Sequence, residues 1–327
     1  MLADTLREKQ TSHRRTHEAM GTVMVHEVCG PYAEESLDAV QIEIERLEGL
    51  FSRFLPDSEI SQINRMAGTD EVEISFETFE VLSRAVGFSR NSRGLLDVSI
   101  GPLVDLWKIS RNTLSVPDQD AMEMARQLVN FEDISMDHVR QAAGLRKAGQ
   151  SIDLGGIGKG YTADKVIEVL RTFGNTSAFS NLGGNVVTLG KKTNGESWKV
   201  GIQHPRATGR LIGVVSVCDQ SVVTSGDYQR YIISRDGRRF HHLIDPRTGR
   251  PAASGLISVT IIADESLTAD ALSTMVFIAG LDKGTEILKD FPNTHAILVD
   301  ENLRIFITHD LQDCFQSDRD VHVNIIK

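Results

Sequence analysis

Apolar residues recur every three or four positions from Ala33 to Phe51, where Leu37, Val40, Ile44, Leu47 and Phe51 form one stripe. That period predicts a helix with one face on a core. Further helices are predicted from Phe76 to Phe88 and from Asp118 to Val129, the latter with Pro117 suited to its start. Between them the apolar stretch Leu95 to Trp107 is broken by Gly101 and Pro102. A helix from Tyr161 to Thr172 follows a glycine-rich turn, and after it the period shortens to two. Strands are predicted at Ser177 to Asn181, Val186 to Gly190, Trp198 to Gln203, Gly213 to Asp219, Tyr228 to Ser234 and Phe240 to Ile244, with Asp236-Gly237 as a hairpin signal. A strand at Ile257 to Ile262, helices at Thr268 to Ala279 and Lys283 to Phe291, and a strand pair around Asp300 complete the pattern. No repeat or low-complexity linker interrupts it. The expectation is one α+β unit of intimately joined parts rather than separate beads.

Composition narrows the class without changing this picture. With 327 residues, 40% hydrophobic and 24% charged, the chain is an ordinary globular one. Its formal net charge of −10 argues against nonspecific nucleic-acid binding, which needs basic surfaces that displace counterions. A nucleotide ligand stays open, because a lysine, a helix terminus or a metal holds phosphates locally on an acidic protein. The three cysteines, Cys29, Cys218 and Cys314, are far apart and in no metal-binding spacing. No run of about 18 apolar residues predicts a membrane span. The first residues show neither the apolar core of a secretion signal nor a lipid-attachment cysteine, so the expected location is cytoplasmic; a chain trimmed of its leader would read the same way.

The chemistry concentrates at Ile152 to Asp164 (IDLGGIGKGYTAD), where Asp153 runs into four glycines within six positions and then into a helix. Glycine lets a ligand approach the main chain, and the following helix aims unpaired N–H groups and a positive dipole end at the turn. Lys159 adds a cation. The spacing matches neither the P-loop nor the dinucleotide fingerprint, so a tight connection and an anion site are both open. His241 and His242 precede the turn Asp245-Pro246-Arg247-Thr248-Gly249; strand alternation sends the two imidazoles to opposite faces, so one can face a pocket. Asp270 and Thr274, four apart on a helix, offer a carboxylate and a hydroxyl to a hard cation, or else Thr268 and Asp270 merely serve that helix's start. Phe54, beside Pro56 and Asp57, is a stacking platform or a core residue.

In this order, Met20-Gly21-Thr22, Ser52-Arg53-Phe54 with Asp57-Ser58-Glu59, Asp97 to Val104, the Asp153 glycine turn, Asn181 to Asn185, His242 to Gly249 and Thr268 to Thr274 resemble the motifs of the FAD:protein FMN transferases, the ApbE-type flavin transferase family. The resemblance runs from about residue 18 to about residue 308. It implies an ApbE-like fold of mixed and antiparallel sheets with flanking helices, and an FAD site between two closely joined parts. Residues 18–308 would form the single domain, 1–17 a flexible N-terminal segment and 309–327 a C-terminal tail. It also implies an enzyme that cleaves FAD with Mg2+ and joins FMN through its phosphate to a threonine of a target flavoprotein, releasing AMP. By motif position the metal would be held by Asp270, Thr274 and the carbonyl of Gly156, a position often Ala, Ser or Thr in relatives. His242 would take the hydroxyl proton, and Lys159 would steady the transferring phosphate. Asp153 would contact the flavin end, while Met20, Phe54, Leu96, Asp97 and Leu243 would help enclose FAD; Phe54 stands where many relatives have Tyr. Hydrolysis of FAD to FMN and AMP, or carriage of flavin without cleavage, are the alternatives.

Overall fold

The computed structural model describes residues 12–107, 109, 116–234, 236–318 and 322–326. The hairpin β1 (Ser12–Ala19) and β2 (Thr22–Cys29) leads into α1 (Ala33–Phe51), α2 (Glu59–Arg65), the short β3 (Val72–Glu73) and α3 (Phe76–Asn91). Then come α4 (Gly101–Trp107), α5 (Gln119–Arg126), the pair β4 (Ile134–Asp137) and β5 (Ala142–Leu145), and α6 (Gly158–Thr172). The strand-rich part is β6 (Ser177–Leu182), β7 (Asn185–Leu189), β8 (Trp198–Gln203), β9 (Leu211–Val217), β10 (Ser221–Gly226), β11 (Tyr231–Ile233), β12 (Arg239–His241), β13 (Ile244–Asp245), β14 (Arg250–Pro251) and β15 (Leu256–Ala263). The chain closes with α7 (Ser266–Ala279), α8 (Leu281–Leu288), β16 (His295–Asp300), β17 (Ile305–Thr308), β18 (Phe315–Ser317) and β19 (Val323–Ile326).

Among the described residues nine strands form the central sheet, in the order β1-β2-β6-β7-β10-β15-β16-β17-β19. Its pairings are antiparallel except β17 with β19. The interior strand β15 is buried along its whole length, as its near-continuous apolar sequence requires. Val259 and Ile261 point into the helical side, against Leu272, Met275 and Val276 of α7. Ile262 points to the other side, where the three-stranded sheet β18-β9-β8 packs Trp198, Val200 and Val215 over it. Each such aliphatic side chain contributes about 1.5–3 kcal/mol by leaving water. The stripe of α1 read from the sequence is buried as expected, with Val40 and Ile44 against Val166 and Leu170 of α6.

The structure departs from the sequence expectations at the ends. Residues 12–17 are not a flexible segment but belong to β1, in register with β2 from Ser12↔Cys29 to Ala19↔Thr22. The stretch after 308 is likewise no simple tail, since β18 pairs with β9 and β19 with β17. Residues 1–11 lie outside the described residues. The helix expected from Tyr161 begins at Gly158, through two glycines of poor helix propensity. Packing decides this. A Cβ on Gly160 would lie 2.5 Å from the Ser266 carbonyl oxygen and 2.7 Å from both Leu267 Cα and Asp270 Cβ, so only glycine lets α6 approach α7 this closely.

Candidate active site

The glycine turn is held from two sides. Asn64 of α2 brackets Ile152, its side-chain amide donating to the Ile152 carbonyl at 3.0 Å and its oxygen accepting the Ile152 N–H at 2.6 Å. The Asp153 N–H donates to the Val98 carbonyl at 2.8 Å, which lays the segment carrying Leu96 and Asp97 alongside. Asp153 then shapes the turn itself, its Oδ1 accepting the Gly155 N–H at 2.7 Å. Its Oδ2 accepts from Arg53 at 3.0 Å, and the same guanidinium reaches Asp105 at 2.5 Å. Arg53 is thus an anchor of the turn for which sequence reasoning found no role, although it lies inside a quoted motif; its adjacency to Phe54 is the only signal. Asp97 is buried with both oxygens engaged, Oδ1 by Ser99 and Oδ2 by the Phe131 N–H at 3.0 Å. Burial pushes its carboxyl up, and its two oxygens organise the loop through Ser99 and Phe131.

On the opposite wall, α7 brings Asp270 and Thr274 to one face. Asp270 is buried; its Oδ2 accepts the Gly160 N–H at 2.9 Å, while Oδ1 has no protein partner among the described residues. Gly156 lies against the same face, since a Cβ on it would stand 3.4 Å from Thr274 Oγ1 and 3.3 Å from Leu96 Cδ1. The first is an ordinary contact and the second a tight one, so a side chain at 156 would press on Leu96. Asp270, Thr274 and the Gly156 backbone therefore come together, an all-oxygen donor set with a single carboxylate and one free carboxylate oxygen. That chemistry fits a hard divalent cation completing its shell with phosphate and water oxygens. The alternative role for Thr268, capping α7, does not hold: the helix starts two residues earlier at Ser266, and the Thr268 hydroxyl donates to Glu265.

The two histidines separate as alternation requires. His241 is buried with both nitrogens used: Nε2 donates to the Ala252 carbonyl at 3.0 Å and Nδ1 accepts the Leu243 N–H at 3.2 Å. His242 is half-buried and its Nδ1 lies 3.2 Å from the Arg230 carbonyl. A carbonyl can only accept, so Nδ1 carries the proton and Nε2 presents a lone pair. Desolvation holds this imidazole down at about 4, assisted by the charges of Arg230 and Lys159. The Asp245 to Gly249 segment is the hairpin corner that its composition allows, with Asp245 bonded to Arg247.

The remaining expected contact residues differ in burial. Met20, in the β1–β2 turn at φ 49°, packs against both helical-side clusters and reaches Thr162 of α6. Leu96 and Leu243 are buried. Phe54 is 69% exposed and so is not core; the Arg53 guanidinium carbon is 5.8 Å from its ring centre. Lys159 is bound only weakly, its ammonium 3.5 Å from the Gly155 carbonyl, and remains free to swing toward an anion.

Residues 20–298 match the ApbE family. The chain belongs to the ApbE family. An FAD:protein FMN transferase of Klebsiella pneumoniae is 37% identical over 266 residues, covering 81% of this chain and 82% of that protein. One of Treponema pallidum is 36% identical over 287 residues, covering 83% and 78%. The crystal structure of the ApbE protein of Thermotoga maritima superposes with a TM-score of 0.83 at 32% identity, covering 90% of this chain and 96% of that one. The ApbE fold therefore carries the α+β architecture described above. No helix among the described residues is long and apolar enough to cross a membrane.

Proposed function

We propose that this ApbE-family chain is an FAD:protein FMN transferase, moving FMN from FAD to a hydroxyl of a target flavoprotein, with Mg2+ as cofactor and threonine as the acceptor residue. The observation that carries it is His242: its Nδ1 is pinned to the Arg230 carbonyl and its Nε2 has no partner among the described residues, in a chain whose α7 also brings Asp270 and Thr274 beside Gly156. The names of the curated relatives support the same reading.

A threonine hydroxyl is a weak nucleophile until its proton is taken. His242 Nε2 accepts that proton while Nδ1–H leans on the Arg230 carbonyl, which keeps the ring in one tautomer and orientation. The hydroxyl oxygen then bonds to the FMN phosphorus, the bond from that phosphorus to the bridging oxygen breaks, and AMP leaves with the bridging oxygen and its electron pair. Charge builds on the phosphoryl oxygens and on the leaving phosphate. The ammonium of Lys159 is the cation that answers that charge. A Mg2+ held by Asp270, Thr274 and the Gly156 carbonyl would supply Lewis-acid neutralisation of the diphosphate. Desolvation at about 4 keeps His242 neutral at pH 7, and the negative diphosphate of a bound substrate raises its basicity toward the working range.

The test is AMP release from FAD, followed by chromatography with and without acceptor. AMP formed only with the acceptor, and lost in His242→Asn while FAD still binds, supports transfer. AMP formed equally fast without acceptor would make the chain an FAD hydrolase, and an undiminished His242→Asn variant would remove the histidine from the chemistry.

A further inference from the structure

Helices α6 and α7 exchange carboxylates at their N-terminal ends. Asp270 of α7 accepts the Gly160 N–H in the first turn of α6 at 2.9 Å. In return Asp164 of α6 accepts the N–H groups of Ser266 and Leu267, the first two residues of α7, at 2.7 and 2.8 Å on its separate oxygens. Residues 160 and 164 are one turn apart on α6, as 266 and 270 are on α7, so the two exchanges lie side by side. The start of α7 has no cap of its own: Glu265 makes no capping bond, pairing instead with Arg84 and Thr268, and the first turn holds no acidic residue. Asp164 is consequently what satisfies the orphan donors at that end. Since Gly160 has no Cβ, the backbones touch here and leave no slack for α7 to slide.

We infer that Asp164 is a positioning residue: by gripping the first turn of α7 it sets where Asp270 and Thr274 stand relative to Gly156, and thereby tunes the affinity of the site for a divalent cation. Asp164 touches neither substrate nor metal in this role. The inference rests on the metal reading of that site given above. Partners that orient metal ligands typically change metal affinity 10–100-fold when altered, and Asp164 acts one step further out, through the helix that carries the ligands.

The test compares wild type with Asp164→Asn. The amide oxygen of asparagine accepts one N–H, and its NH2 is turned against the other, so the grip is halved while shape is kept. Mg2+ titration in the presence of FAD should show a dissociation constant raised about tenfold. FAD affinity without metal should move less than twofold, and turnover should recover at saturating Mg2+. Hydrogen exchange read at the amides of Gly160, Ser266 and Leu267 should quicken together, which reports the clamp without metal or activity. Wild-type Mg2+ affinity in a folded Asp164→Asn overturns the inference, as does turnover that stays low at saturating Mg2+. If Asp164→Asn does not fold, Asp164→Glu decides by the same titration: both acceptors are kept but displaced by one methylene, and unchanged Mg2+ affinity overturns the inference. Wild type that binds no Mg2+ fails the metal reading itself, and the positioning role falls with it, while the exchange data still show whether the clamp exists.

Discussion

The sharpest structural prediction concerns two glycines two residues apart in α6. On Gly160 a Cβ would stand 2.5 Å from the Ser266 carbonyl oxygen and 2.7 Å from Leu267 Cα, both backbone atoms that cannot rotate away. Gly160→Ala gains about 1 kcal/mol of helix propensity. Against this stand overpacking of about 1–3 kcal/mol and a stretched bond to the Asp270 carboxylate worth about 1.5–3 kcal/mol. The net is a loss of roughly 1.5–5 kcal/mol, from those same terms. On Gly158 a Cβ would meet only Leu154 Cβ at 3.4 Å, an ordinary contact. Gly158→Ala should therefore match wild type or gain up to about 1 kcal/mol. Urea unfolding at constant slope gives both values. A Gly160→Ala variant as stable as Gly158→Ala would refute the claim that the α6–α7 contact, rather than ligand binding alone, demands glycine there.

Three further outcomes follow from the same geometry. In the ligand-free protein the His242 imidazole should titrate well below 6.5, near 4, and rise when FAD brings its diphosphate alongside; an NMR titration giving 6.5 or higher without FAD contradicts the desolvation argument. Asp270→Asn should keep the fold, because its amide oxygen still accepts the Gly160 N–H, yet weaken Mg2+ binding at least tenfold by calorimetry, as loss of the only charged ligand requires. His26 is buried between β2 neighbours, with Nδ1 2.9 Å from Ser180 Oγ and Nε2 unpartnered, and desolvation holds it down at about 4. Its unfolded form takes a proton below about 6.5 while the folded form stays neutral, so stability is full above that pH and declines as pH falls toward 4, by up to about 3 kcal/mol. Replacing it by methionine should flatten that acid slope in urea unfolding; an unchanged slope would clear His26 of the effect.

The sequence made the helices with a single apolar stripe readable, as in Ala33–Phe51, because one buried face is enough to set the period. It also showed that His241 and His242 must part, since strand alternation is local. It did not show which would be free, because that depends on the carbonyls of Ala252 and Arg230, distant in the chain from the rings they fix. Arg53 and Asn64 escaped notice for the same reason: their partners, Asp153 and Ile152, lie about a hundred residues further on. The early start of α6 is a tertiary effect, with α7 packing against glycines that propensity alone would place in a loop. The strands at both ends carry mixed polar sequences such as SHRRTHEA, which alternate weakly and gain their register only from a neighbouring strand.

The central claim is flavin transfer, and intact-mass spectrometry of the acceptor tests it most directly. After incubation of this protein with FAD, Mg2+ and a threonine-bearing acceptor flavoprotein domain, the account predicts an acceptor heavier by one phosphoester-linked FMN, an equal amount of AMP, and neither product with His242→Asn. An acceptor of unchanged mass, with the same acceptor modified by a relative of demonstrated transferase activity run in parallel, would contradict it.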